Sequence, residues 1–248
     1  MKKIGIIDSG LGGYYIASEI HKISSVDIVF LADQKYIPYG DKSHDEILHI
    51  MIHNIKWFQS LGIEEILIAC NTASTVLGDL QKSFPKLKLY GVIGITAQQF
   101  ENIMIDELLI LGTELTIASH LYQEYLKSFL PNTKIIALSC PGLADLIEKC
   151  DFSVLPSYFD EHFIAYKNSK IPVLLACTHY SIIHDLFQNY FGGNYFDSVN
   201  STQALFSQDN GHGQFDVYTS GNIAGLKKQL ASLFQEQDII IHKQESNE

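Results

Sequence analysis

Two short strings, Ala69-Cys70-Asn71-Thr72-Ala73 and Ala176-Cys177-Thr178-His179-Tyr180, each follow an apolar run and set a cysteine where a strand should end. Upstream of each lies a second matching point: Asp8 closes Ile4-Gly5-Ile6-Ile7, and Thr113 follows Leu108-Leu109-Ile110-Leu111. Asp8 and Cys70 are 62 positions apart, and Thr113 and Cys177 are 64 apart. A recurrence of that kind constrains the chain to two copies of one plan. Cysteines at equivalent ends of two similar halves can face one substrate from opposite sides.

The plan is α/β. Short β-branched runs alternate with longer segments of helical period, the pattern of parallel strands joined by crossover helices. Strands are expected at Ile4–Ile7, Ile28–Leu31, Ile66–Ala69 and Leu89–Val92, then at Leu108–Leu111, Ile135–Leu138, Val173–Ala176 and Tyr195-Phe196. Ile47, Leu48, Met51, Ile52, Ile55 and Phe58 mark one face of a helix of about five turns, which Gly62 should end. Phe215–Thr219, a helix over Asn222–Phe234 and Ile239–Ile241 are too small a piece to bury their own apolar face, so they should return to the first half. The expected architecture is two pseudo-symmetric three-layer α/β/α domains with mostly parallel sheets and the site in the cleft between them. Residues 1–94 with 207–248 form the first domain and 95–206 the second, with a polar stretch over Ser207–Gln214 and a frayed tail over Lys243–Glu248.

At 248 residues and 46% hydrophobic, the chain has ample apolar surface for two cores. A net charge of −11 with only 17 Lys and Arg argues against a nucleic-acid partner or an acidic membrane surface. The apolar stretch behind Met1-Lys2-Lys3 is cut short by Asp8 and Gly10, which argues against a signal peptide, and no segment approaches a membrane span. Four cysteines, at 70, 140, 150 and 177, are too few and too scattered for a disulfide framework. The expected location is the cytoplasm, with thiols reduced.

Asp8-Ser9-Gly10-Leu11-Gly12-Gly13 lies between a strand and a helix, where free backbone N–H groups suit a carboxylate or phosphate. A dinucleotide fingerprint fails, although Asp33 ends the second strand, because the third glycine position is Tyr15. Cys140 and Cys150 read as small buried hydrophobes. Cys70 and Cys177 differ, because Asn71-Thr72 and Thr178-His179 favour helix starts and set each thiol at a helix N-terminus. There the dipole is expected to lower the thiol pKa and make thiolate accessible near neutrality. His179 projects to the same side as Cys177 in extended backbone, but no further ligands complete a zinc site, so no metal is expected. A structural histidine is the alternative, and ordinary capping is the alternative for Ser43, Thr113 and Thr116.

Taken together, these strings with Pro38-Tyr39-Gly40-Asp41-Lys42-Ser43, Gly112-Thr113-Glu114-Leu115-Thr116, and Cys140-Pro141 with Glu148 resemble the glutamate racemases, in that family's order and over residues 4 to 220. Thr178-His179 resembles glutamate racemases rather than aspartate racemases, which are typically Cys-Thr-Glu there. The chain departs from the pattern at Leu11, Ala176, Ser181 and Ile95-Thr96, positions that bear on loop shape more than on reacting groups.

The resemblance implies a cofactor-independent isomerase that interconverts L- and D-glutamate and supplies D-glutamate for peptidoglycan, and so for cell-wall biogenesis and cell shape. It implies Cys70 and Cys177 as the two acid/base residues, Cys70 acting on D-glutamate and Cys177 on L-glutamate, with Asp8 the partner of Cys70 and His179 that of Cys177. Asp8, Ser9, Tyr39, Gly40, Asn71, Thr72, Thr113, Thr116, Thr178 and His179 would bind the amino acid. Glu148 would stand behind His179. A homodimer is a further expectation. Two alternatives remain open: a racemase of the same fold acting on aspartate or another acidic amino acid, and a noncatalytic small-anion binder.

Overall fold

Side-chain alternation along each strand sorts the core into layers. In the computed structural model, which describes residues 3–206 and 213–245, Ile4 and Ile6 of strand β1 (Lys3–Asp8) face one side of a sheet and Ile7 the other. That sheet has six parallel strands in the order β10-β9-β2-β1-β3-β4: β2 (Asp27–Ala32), β3 (Glu65–Ile68), β4 (Lys88–Gly91), β9 (Phe215–Thr219) and β10 (Ile241–Lys243) join β1. A second parallel sheet, in the order β6-β5-β7-β8, comprises β5 (Glu107–Gly112), β6 (Lys134–Ser139), β7 (Val173–Ala176) and β8 (Tyr195–Phe196).

Each sheet is covered on both faces. On the larger sheet, α1 (Leu11–Ile23) shares its face with a late helix over Ile223–Phe234, while α2 (His44–Ser60) packs on the other face. The intervening helices are α3 (Asn71–Ser74), α4 (Leu77–Ser83), α5 (Val92–Ala97), α6 (Glu114–Ala118), α7 (Leu121–Phe129), α8 (Leu143–Glu148), α9 (Leu155–Phe163), α10 (His184–Phe191) and α11 (Ser198–Gln203), so Ile223–Phe234 is α12. α8, α9 and α10 cover one face of the smaller sheet and α7 the other. Burial on both faces explains why the strands read as continuous apolar runs.

The chain changes halves inside α5, whose Ile93 and Ala97 pack with α7 in the core of the smaller sheet. α11 crosses back, placing Val199 in the core beneath α1. The α2 helix begins as its residues dictate: Ser43 accepts from the Glu46 backbone N–H, and the Glu46 carboxylate accepts from that of Ser43. Gly62, at φ +72°, follows its end.

Two boundaries differ from expectation. The last strand is Ile241–Lys243 rather than Ile239–Ile241, because Ile241 is the residue that pairs with Val217 of β9, so Lys243 belongs to the sheet and not to a tail. Most of the polar stretch after Phe206 and the last three residues lie outside the described residues. No helix among the described residues is long and apolar enough to cross a membrane.

Candidate active site

The carboxyl ends of the central strands of both sheets meet at one cleft, the position where open α/β sheets bind ligands. Asp8 is the last residue of β1, Cys70 lies two residues past β3, and Thr113 and Cys177 directly follow β5 and β7. Strand register places Thr113 level with Cys177, and Asp8 level with Ala69, one residue short of Cys70. The two copies therefore differ by one residue where the chain leaves the sheet. The cleft, ≈ 590 Å³ with its open mouth, is lined by Ser9, Tyr39, Gly40, Cys70, Asn71, Thr72, Thr113, Cys177, Thr178 and His179 among the candidate residues. Asp8, Thr116 and Glu148 stand behind this lining, each buried.

Both thiols begin helices, as their neighbours dictate. Cys70 caps α3 and Cys177 caps the 3₁₀ turn Thr178–Ile183. The effect on Cys70 is opposite to the expected one. Burial pushes its thiol well above the ordinary range and the Asp8 carboxylate raises it further, outweighing the backbone N–H groups of Ala73 and Thr72, which act downward. A helix of four residues supplies too little dipole to overcome removal from water.

His179 stands between the second thiol and a carboxylate. Its Nδ1 is 3.9 Å from Cys177 Sγ, and its Nε2 is 2.8 Å from Glu148 Oε2. Burial opposes the imidazolium, but the hydrogen bonds and charges of Cys177 and Glu148 prevail and hold His179 well above its usual pKa. Burial likewise opposes the Glu148 carboxylate, yet His179, the Leu11 N–H and Gln34 hold it below the usual range.

The glycine-rich turn is occupied from within the protein. The Leu11 N–H at the start of α1 donates to Glu148 Oε2 at 2.9 Å, and the Gly10 N–H donates to Asp8 Oδ1 at 2.9 Å. These amides are therefore engaged by protein carboxylates rather than open to a free anion. The glycines serve close approach: a Cβ on Gly10 would lie 2.4 Å from a Glu148 oxygen, and one on Gly12 would lie 2.5 Å from the Thr178 carbonyl carbon. Asp8 also bridges the halves, its Oδ2 accepting from Thr178 Oγ1 at 3.1 Å. Burial raises the Asp8 carboxyl above its ordinary range, although the charge of His179 acts downward.

Three hydroxyls converge across the cleft. Thr113 Oγ1 lies 2.9 Å from both Thr72 Oγ1 and Thr116 Oγ1, so α3 of one half meets the start of α6 of the other. Asn71 Oδ1 accepts from the Tyr122 hydroxyl, while its buried Nδ2 has no hydrogen-bond partner. A buried donor left unpaired is costly, so this nitrogen is poised for an acceptor. Tyr39 lines the cleft, but its hydroxyl donates to Asp33 Oδ2 at 2.6 Å.

Asp33, which follows β2, ties elements of the first half together. Fully buried, it accepts from Tyr39, from Asn54 Nδ2 at 2.8 Å and from Ser220 Oγ, tying the Tyr39 loop to α2 and β9. Gln34, which donates to Glu148 Oε1 at 2.8 Å, carried no signal in the sequence. Cys140 proves to line the cleft rather than only fill the core, and burial pushes its thiol up to about 12. Cys150 is only partly buried and adopts φ +57°.

No family model matches the chain. Two parallel-sheet halves that meet at a cleft are a fold shared with solved amino-acid racemases, which superpose on the chain. Glutamate racemase isoform RacE1 of Bacillus anthracis does so with a TM-score of 0.87 at 22% identity, over 97% of this chain and 96% of that one. The Francisella tularensis glutamate racemase in complex with D-glutamate gives 0.84 at 23%, over 98% and 96%. An aspartate racemase from Picrophilus torridus gives 0.64 at 21%, over 83% and 92%.

At these identities the likeness is one of fold, and sequence carries the assignment further. The chain belongs to the glutamate racemase family, being 30% identical to the glutamate racemase of Staphylococcus haemolyticus over 86% of this chain and 85% of that one. It is also 28% identical to that of Lactobacillus acidophilus over 98% and 96%.

Proposed function

We propose that the protein is an isomerase that interconverts L- and D-glutamate by a two-thiol mechanism. The observation that carries this reading is the pair Cys70 and Cys177, one from each half, opening on a single cleft lined also by Asn71, whose amide nitrogen is unpaired, and by Thr72 and Thr113 of a cluster of threonine hydroxyls. A thiolate on one face removes the Cα proton as the C–H bond breaks, and the opposite thiol delivers its own proton to the carbanion, leaving the two sulfurs with exchanged roles. Cys70 takes the proton from D-glutamate and Cys177 from L-glutamate. Donors fixed in a cleft shielded from water stabilise the negative charge that builds up. Asn71 Nδ2 and the hydroxyls of Ser9, Thr72 and Thr113 are the donors this reading assigns to the amino acid, with Thr116 behind them and the Thr178 hydroxyl, which donates to Asp8, contacting the substrate as an acceptor.

His179, set against Cys177, supports that sulfur as it alternates between thiol and thiolate, and Asp8 bears on Cys70 through its charge. The same reading divides the chain at residues 94 and 207 into two domains, places it in the cytoplasm as a homodimer, and gives its product to peptidoglycan synthesis.

Purified protein without added cofactor should bring L-glutamate to an equal mixture of enantiomers in deuterium oxide, with deuterium at Cα of the product. Constant optical rotation at high protein concentration would refute the reading, and faster turnover of aspartate would redirect it to another acidic substrate. The pH dependence has a definite sign. Because burial holds the Cys70 thiol high, the form in which it is the base gains population as pH rises. kcat/KM for D-glutamate should therefore increase from pH 7 to 9, and the L-glutamate profile should superpose on it because the equilibrium constant is one. A flat profile over that range would show that burial does not govern Cys70.

A further inference from the structure

Asn71 presents two unlike atoms at the ends of one rotatable carboxamide, and which of them faces the cleft decides whether the site attracts or repels an anion. A neighbour in the other half makes the choice. The Tyr122 hydroxyl of α7 donates to Asn71 Oδ1 at 2.5 Å, across 51 positions of sequence. Both residues are buried, at 1% exposure each. With Oδ1 so engaged, Nδ2 is left as a buried donor without a partner, and Asn71 is part of the cleft lining.

Tyr122 is itself held. The Ser198 hydroxyl on α11, with that of Thr96 on α5 beside it, lies against its oxygen and acts against the rise of its pKa. Thr96 donates to Ser198 at 3.0 Å, which leaves the Ser198 proton for the tyrosine and directs the tyrosine's one proton to Asn71. Burial raises the phenol above its usual pKa, so it stays a donor throughout the neutral range. Neither a threonine at 96 nor a tyrosine at 122 carries any mark of this in the sequence.

We propose that Tyr122 is a positioning residue for substrate: held by Ser198 and Thr96, its hydroxyl locks the Asn71 carboxamide with Nδ2 turned into the cleft, as a donor to a carboxylate oxygen of the bound amino acid. The inference rests on the glutamate-racemising function proposed above. A donor of this kind binds the ground state and the transition state alike, so its loss appears in KM with kcat nearly unchanged. A group that merely supported the fold would lower melting temperature without that split.

Steady-state racemisation by the full chain tests this in both directions, with D-glutamate affinity measured by calorimetry. Tyr122→Phe keeps the ring and removes the hydroxyl, freeing the carboxamide to flip. KM should rise about tenfold for both enantiomers, the value of one net hydrogen bond. In an Asn71→Ala background the same substitution should add nothing to KM or to the dissociation constant. Asn71→Asp retains the acceptor for Tyr122 but replaces the inward donor with a second carboxylate oxygen, so D-glutamate binding should be lost at a near-native melting temperature. An unchanged KM in Tyr122→Phe, equal further losses in the Asn71→Ala background, or native binding by Asn71→Asp would each overturn the proposal. Wild-type protein that neither racemises nor binds glutamate would instead overturn the functional reading on which the proposal stands, and the two failures are distinguished by the wild-type arm alone.

Discussion

Cys70→Ala and Cys177→Ala should each lose racemisation by at least about 10³-fold, within the range expected for removing a positioned acid/base group. The loss should fall on kcat in both directions, because inversion needs a proton acceptor on one face and a donor on the other in every turnover. Any Cα exchange that survives should be confined to one enantiomer, L-glutamate in Cys70→Ala and D-glutamate in Cys177→Ala, since each variant keeps one thiol. Both sulfurs sit at the cleft lining with the residues at 6% exposure, so truncation opens a small space beside the cavity and melting temperature should change little. Serine should restore little activity, a hydroxyl being far harder to ionise than a thiol. Racemisation at the wild-type rate in either alanine variant would exclude the two-thiol mechanism.

Glu148→Ala should have the largest effect on stability. The carboxylate joins the halves: it accepts from Leu11 N–H and Gln34 on one side and meets His179 on the other, while the Glu148 carbonyl accepts from Gln229 of α12. With Glu148 at 5% and His179 at 3% exposure, this is a buried pair. Removing one member of such a pair costs about 3–5 kcal/mol, or roughly 6–20 °C in melting temperature for a chain of this size. Turnover of L-glutamate should fall as well, because His179 loses the group that holds it beside Cys177.

The pH dependence identifies charge as the cause. Glu148 is held below its ordinary range, so its share of stability is present above about pH 4.3 and is lost as pH falls through the lowered value. His179 is held above its own, so its share is complete below about pH 6.5 and is lost as pH rises through the raised value. The difference in melting temperature between wild type and Glu148→Gln should therefore be widest between about pH 4.3 and 6.5 and narrow on either side. A difference independent of pH would show that the carboxylate acts by shape alone.

What the sequence determined by itself is what local chemistry and periodicity encode. Apolar runs with β-branched residues place nine of the ten strands among the described residues to within a residue of their observed positions at both ends, and the repeated cysteine strings place the thiols at strand ends. Ser43 with Glu46 starts α2 and Gly62 follows its end, because capping and a left-handed turn depend on a few consecutive residues. The strings Asn71-Thr72 and Thr178-His179 start helices for the same reason.

The tertiary structure alone decided which atoms are removed from water and which distant groups then meet. Cys70 and its helix start were legible, but burial and the Asp8 charge reverse the direction of its pKa, and both arise only in the folded chain, the charge because β1 pairs with β3 in one sheet. The glycine turn was legible as a set of free amides, yet one of them is taken by Glu148 from 137 positions away. Tyr122 against Asn71, Thr113 against Thr72 and Gln34 against Glu148 are likewise pairings between halves. A hydrogen bond between residues far apart in the chain leaves no periodic trace, and its strength depends on exclusion of solvent, which is a property of the packed interface rather than of either segment.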